Sequence, residues 1–471
     1  MESSGTTTTP TVSGNDSNQN VLHTQDVKDI LLNKESFVED KVAEERKRLE
    51  EAAGINTSTF HHFSKPMENL FTRDQRETTT LLFGGMTWRH EHLLEGVLRG
   101  LGYKVNAIPT PDVNAFQLGK EYGNNGQCNP TYFTVGSLIQ YLQNLEAQGL
   151  TREEIIRDYL LLTAGACGPC RFGMYEAEYR LALQNSGFEG FRVILFQQSG
   201  GLNQSEMEAG LDMNLDFFLG LINAFNMGDI LNEVGYKIRP YEVEEGRTNA
   251  VMEESLNYLH DVMRDHKPYD IDRSWLKFLS GAGLAGGINY LGKFIDQLKG
   301  QAYTNTLSEA GEKFNDIEVD RFRVKPVVKI TGEFWAQLTE GDGNFNMFKF
   351  LEKENAEVLV EPVGTWVMYL MSQYKMRAKD RKGINEGEVQ PAAWRLDQRL
   401  MNEIRYRKKI GTMSLAEKVF KREFTRLQQA LGLNLHELVD QYELQRMGHP
   451  FYNTRSSGGE GHLEVAKKHL L

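Results

Sequence analysis

Cys128 in NGQCNPTYFT and Cys167 and Cys170 in GACGPCRFG are the three cysteines of a chain of 471 residues. Each lies where a polar loop feeds a helix, which points to one shared site. Three thiolates are one short of a closed tetrahedral zinc site and cannot all pair as disulfides. They can hold a four-iron cluster with one iron left open to substrate. CGPC is also the dithiol sequence of thioredoxin-like oxidoreductases, but no proline between Pro169 and Pro240 supplies the cis-proline those folds need, and a third cysteine would have no role. A zinc site would need a histidine or carboxylate as fourth ligand, and the immediate flanks of both motifs lack histidine. Burial as small apolar residues is the plainest alternative.

Other residues could serve chemistry at such a site. Glu333 in ITGEFW, and Glu460 with His462 in SSGGEGHLE, lie in or beside glycine-rich loops, from which a side chain can reach a crevice as acid or base. Loop capping is the alternative for each. His90 and His92 in WRHEHLLEG lack the i, i+4 spacing of a helical metal pair, so they are expected as first-turn surface residues. The basic residues between Lys375 and Arg426, RYRKK among them, suit either a solvated helix face or the phosphates of coenzyme A or an acidic partner.

The elements that must position these residues alternate between strand and helix patterns. TTTLLFGG is expected as a strand, WRHEHLLEGVLRGLG as an amphipathic helix and YKVNAIP as a second strand. The pattern repeats in the helix YFTVGSLIQYLQNLEAQG, the strand DYLLLTAG, the helix YEAEYRLALQNSG and the strand FRVILFQQSGG. Such alternation implies a parallel, helix-covered sheet over residues 76–210, with all three cysteines beyond the carboxyl ends of its strands. Helix N-termini gather there, lowering thiolate pKa and favouring anionic clusters. Residues 211–320 are helical in pattern. KPVVKIT, MFKFLEKEN and AEVLVEP form another β-α-β pattern that opens a second lobe over 321–471. Residues 1–75 are expected as a disordered Ser/Thr/Asn-rich tail with a charged surface helix. The fold class expected is α/β, with two Rossmann-like parallel-sheet lobes, a helical insert and a partly disordered N-terminal tail. A crevice between the two sheets is the natural ligand site.

Composition narrows the function. A net charge of −12 and the lack of an interleaved aromatic and basic motif argue against nucleic-acid binding. No apolar run is long enough to span a bilayer, and the polar first residues lack a secretion signal, so a cytoplasmic protein in a reducing compartment is expected. The nearest phosphate-loop string, GINYLGKF from Gly287, has Phe294 where Ser or Thr should meet magnesium, so it is expected as a packing helix.

The runs LLFGGMTWRHEHLLEGVLRGLGYKV, GKEYGNNGQCNPTYFTVG, GACGPCRFGMYEAEYRLAL and KPVVKITGEFWAQLTEGDGN make the chain resemble the activase-associated branch of the 2-hydroxyacyl-CoA dehydratase and benzoyl-CoA reductase superfamily, from about Phe71 to the C-terminus. The resemblance implies two Rossmann-like lobes and a helical region, and a [4Fe–4S] cluster held by Cys128, Cys167 and Cys170. It implies reduction by one electron from a separate ATP-hydrolysing activase, since this chain shows no ATPase core. An acyl-CoA would be the substrate, and a one-electron-reduced thioester makes an otherwise scarcely acidic β proton removable. An electron-transfer or scaffold subunit without its own substrate is the alternative within the same resemblance.

Overall fold

The computed structural model describes residues 41–42, 44–49, 52, 71–165, 171–197, 210–267, 284–382, 392, 394–455 and 466–468. The chain divides into two units, Met1–Ser64 and Lys65–Leu471. In the first, the described residues are helical and exposed, and they carry i,i+3 ion pairs such as Lys41 with Glu44 at 2.7 Å.

The second unit begins with the strands and helices expected from the sequence, together with two short helices, Val113–Tyr122 and Arg152–Asp158, that the sequence reading lacks. They are β1 (Thr80–Phe83), α1 (Trp88–Gly100), β2 (Lys104–Ala107), α2 (Val113–Tyr122), α3 (Asn129–Ala147), α4 (Arg152–Asp158), β3 (Tyr159–Gly165), α5 (Tyr175–Asn185) and β4 (Arg192–Gln197). The strands form a four-stranded sheet in the order β2-β1-β3-β4, and every pairing is parallel. From β1 the chain runs first to one side and then back to the other, so the strand order reverses between β1 and β3, where crevices form in open parallel sheets.

Side chains of β1 alternate between two cores. Leu82 joins Leu138, Ile139, Leu142 and Leu183 of α3 and α5 on one face, while Leu81 and Phe83 join Leu98, Val105 and Phe217 on the other. Burial on both faces is why β1 reads as a continuous apolar run rather than an alternating one.

The chain then becomes helical, with α6 (Leu215–Ile238), α7 (Arg247–Asp265), α8 (Leu284–Lys299) and α9 (Ala302–Asn315). GINYLGKF lies within α8, so the string is helical, as expected. Beyond residue 321 come β5 (Val327–Lys329), α10 (Phe334–Leu338), α11 (Met347–Lys353), β6 (Glu357–Leu359), α12 (Val363–Asp380), α13 (Leu396–Leu431) and α14 (Gln441–Gly448). β5 and β6 make a two-stranded parallel sheet. The expected β-α-β unit is therefore present, but after β6 the described elements are all helices, α12 to α14. The protein is α/β in character and mostly helical. Its largest core joins α1, α6, α7, α9, α12 and α13 through residues such as Leu93, Met227, Leu256, Leu307, Met368 and Leu427.

The basic stretch expected around Lys375 to Arg426 lies on the end of α12 and on α13, whose first half is largely exposed. Several of its cations are paired locally, Arg407 with Glu403 at 2.8 Å and Lys382 with Glu403 at 3.1 Å. None of the described helices is long and apolar enough to cross a membrane.

Candidate site at the carboxyl end of the sheet

Cys128 is the N-cap residue of α3, but its side chain makes no capping hydrogen bond. The half-buried thiol instead faces hydroxyls. Its Sγ lies 3.0 Å from Thr131 Oγ1 and 3.7 Å from Tyr175 OH. Burial first, and then the neighbouring Cys128 and Glu333, push the Tyr175 phenol well above its ordinary range, so it stays protonated and able to donate. Hydroxyl donors on a cluster sulfur are among the levers that set reduction potential.

Cys167 and Cys170 lie outside the described residues, but both flanks of their motif are described. β3 ends at Gly165 on the carboxyl edge of the sheet, two residues before Cys167. After Cys170, Arg171–Met174 forms a 3-10 turn, and Phe172 meets Tyr175 edge to face with ring centroids 5.2 Å apart. Tyr175 is the residue that touches Cys128. The flank after CGPC thus returns to the first cysteine. Glu460 and His462 also lie outside the described residues.

Glu333 is the N-cap of α10, accepting from Ala336 N at 2.9 Å, which is the capping alternative to an acid/base role. Its charge still acts on Tyr175 and so reaches the neighbourhood of Cys128. The rest of the GEFW segment covers the end of the sheet. Trp335 stacks on Phe133 of α3 with centroids 5.7 Å apart, and a Cβ at Gly85 would lie 3.6 Å from its Nε1. Glu340 accepts from Arg89 Nη1 at 3.0 Å, and Asp342 accepts from Val113 N at 3.1 Å. Segments far apart in the sequence, GGMTW, QCNPTYF and GEFWAQLTEGDGN, converge on one edge.

Between them lies a closed polar network. Asp229 of α6 accepts from Val363 N and Gly364 N at the start of α12, both at 2.8 Å, and meets His90 Nε2 at 3.1 Å. His90 Nδ1 lies 2.8 Å from Thr87 Oγ1, to which Asn232 Nδ2 donates at 3.1 Å. His90 is not the first-turn surface residue its sequence context suggests, because its exposure is 0 %. The correction has a physical reason, since its partner arrives from a helix 139 residues away. His92, expected on the same surface, is half-buried and stacks on His260 with centroids 4.6 Å apart. Burial, and then His260, lower its pKa.

Glu91, between the two histidines, carries no signal in the sequence. It is almost wholly buried and its Oε1 accepts from Gly85 N at 2.8 Å and Met86 N at 3.0 Å. The turn N–H groups that would face a phosphate in a nucleotide-binding β-α turn are thus filled from within. Burial, reinforced by Glu340, pushes the Glu91 carboxyl from 4.5 up to about 8. Between those values the unfolded chain has lost a proton that the folded chain keeps, so stability falls as pH rises. Glu91→Gln should therefore gain stability over the wild type across this window, by on the order of 2 kcal/mol near pH 8. Urea unfolding midpoints at several pH values check this, and a gain that shrinks as pH rises would contradict it.

No protein-family model, no curated protein and no solved structure matches the chain.

Proposed function

We propose that the chain holds a [4Fe–4S] cluster on Cys128, Cys167 and Cys170 and works as a 2-hydroxyacyl-CoA dehydratase-like or acyl-CoA reductase-like subunit, within an architecture of two Rossmann-like lobes and a helical region. The observation that carries this reading is the convergence at Cys128. Its Sγ meets Tyr175, which packs against Phe172 two residues after Cys170, while β3 delivers the other flank of CGPC to the same sheet edge. Cys128, the one described cysteine, suits a ligand role, since it is not spent on capping and is bordered by two hydroxyls.

When bound, such a cluster supplies one-electron transfer and an iron able to act as a Lewis acid. The chain supplies the surroundings. Tyr175 and Thr131 donate toward sulfur, the GEFW segment screens the sheet edge from water, and Glu333, Glu460 and His462 are the acid/base candidates. Electrons come from a separate ATP-hydrolysing activase, and an acyl-CoA is the substrate. The test is iron and sulfide analysis of anaerobically prepared protein, followed by EPR of the reduced sample with a candidate activase and either ATP or a non-hydrolysable analogue. A cluster signal dependent on hydrolysis supports the reading. Iron-free protein that reduces insulin through Cys167 and Cys170 alone would replace it with a dithiol oxidoreductase.

A further inference from the structure

Trp335 is 7 % exposed, and its indole Nε1–H has no hydrogen-bond partner among the described residues. Phe133 stacks on the ring and fixes its plane. The N–H edge faces Gly85, whose φ of 103° is one that side-chain-bearing residues rarely adopt. Gly85 N–H donates to Glu91 Oε1, and no described residue hydrogen-bonds to Glu91 Oε2. Gly85 therefore borders both a donor without a partner among the described residues and a carboxyl group whose second oxygen has none. We propose that Trp335 Nε1–H and the Glu91 carboxyl are the two donors of a subsite for the carbonyl oxygen of an uncharged acyl group, laid against the backbone of Gly84 and Gly85.

The chemistry selects a neutral acceptor. The charged group acting on Glu91 is Glu340, an anion, and Arg89 is engaged by Glu340 at 3.0 Å and Asn232 at 3.0 Å rather than by Glu91. Tyr236 of α6 borders the same Arg89 and Glu340 and is itself pushed to stay neutral, mainly by burial. An anionic ligand oxygen would meet no free cation among these groups. A carbonyl oxygen accepts from both donors, provided Glu91 carries its proton, as it does below about pH 8. The identity of the acyl carrier as coenzyme A rests on the function proposed above, whereas the oxygen subsite does not.

The test compares S-butyryl-N-acetylcysteamine with S-butyl-N-acetylcysteamine, a thioether that lacks the carbonyl, binding each to the full-length protein by saturation-transfer NMR. The thioester should bind about tenfold tighter at pH 7, since a buried donor left unmatched penalises the thioether. The preference should fade toward about pH 9.5 as Glu91 ionises. Trp335→Phe should abolish most of it, while Glu91→Gln, which keeps an N–H donor, should hold it constant across the pH range. Equal binding of the two probes, or binding of neither, overturns the subsite, as does a Glu91→Gln preference that still fades with pH. A second arm uses butyryl-CoA. If it binds no tighter than the cysteamine thioester, the coenzyme A reading fails and the oxygen subsite stands.

Discussion

Cys128→Ser protein, prepared without oxygen, should retain less than about one iron per chain, against about four in the wild type. The substitution changes one atom at the start of α3 and should leave the fold intact, because the Cys128 side chain makes no capping bond and serine is itself a favoured N-cap. Loss of iron with an unchanged unfolding midpoint would therefore report on ligation, not on stability. Two companion variants sharpen the result. Thr131→Val and Tyr175→Phe remove the hydroxyls at 3.0 Å and 3.7 Å from Sγ, and each should keep the iron but lower the midpoint potential, since a donor to sulfur favours the more negative, reduced state. Wild-type iron in Cys128→Ser would remove this cysteine from the ligand set. Wild-type potentials in both hydroxyl variants would show that sulfur hydrogen bonding does not tune the site.

The pieces of this arrangement differ in how far the sequence discloses them. Leu81, Leu82 and Phe83, bounded by Gly84 and Gly85, announce a strand because β1 is buried on both faces and its chain is apolar throughout. The amphipathic run WRHEHLLEGVLRGLG likewise shows α1, whose N-cap the structure places at Thr87. Such signals are local, and the structure agrees with them. α2 and α4 are hard to read from sequence because they are short, at 10 and 7 residues, and leave few residues to show a period. The long helices α12 and α13 are obscured for another reason. Their burial is patchy, with the first half of α13 in solvent, so no single apolar stripe runs through the 36 residues of α13.

The site shows the same division. Cys128 stands out by residue type, but the partners of His90, Glu91 and Trp335 come from distant parts of the chain. His90 needs Asp229 from α6, and Trp335 needs Gly85 from a turn 250 residues earlier in sequence. A histidine or glutamate in the first turn of a helix is usually a surface residue. Only the arrival of α6, α12 and the GEFW segment turns this helix start into an interior. The raised pKa of Glu91 stems from that burial and from no property of its neighbours in sequence.

Gly136→Ala should cost at least about 3 kcal/mol of stability and most of the bound iron, although Gly136 is two helical turns away from Cys128. The expectation comes from how α2 and α3 touch. A Cβ on Gly136 would lie 1.7 Å from Ala115 O, and one on Gly119 would lie 1.9 Å from Tyr132 O. These helices meet backbone to backbone, and a methyl group at either glycine must drive them apart. Flexible side chains cannot absorb the change, because the obstructing atoms are carbonyl oxygens. Since α3 begins at Cys128 and carries Thr131 and Phe133, its displacement moves the thiol, a hydroxyl donor and the platform under Trp335 together. Gly411→Ala provides the contrast. Gly411 is also helical, but a Cβ there would meet nothing within 4 Å, so alanine should stabilise α13 by about 0.5–1 kcal/mol and leave iron unchanged. If Gly136→Ala kept wild-type stability and iron, the α2–α3 contact could not be what fixes the start of α3, and the placement of Cys128 would have to depend on the β3 flank and Tyr175 instead.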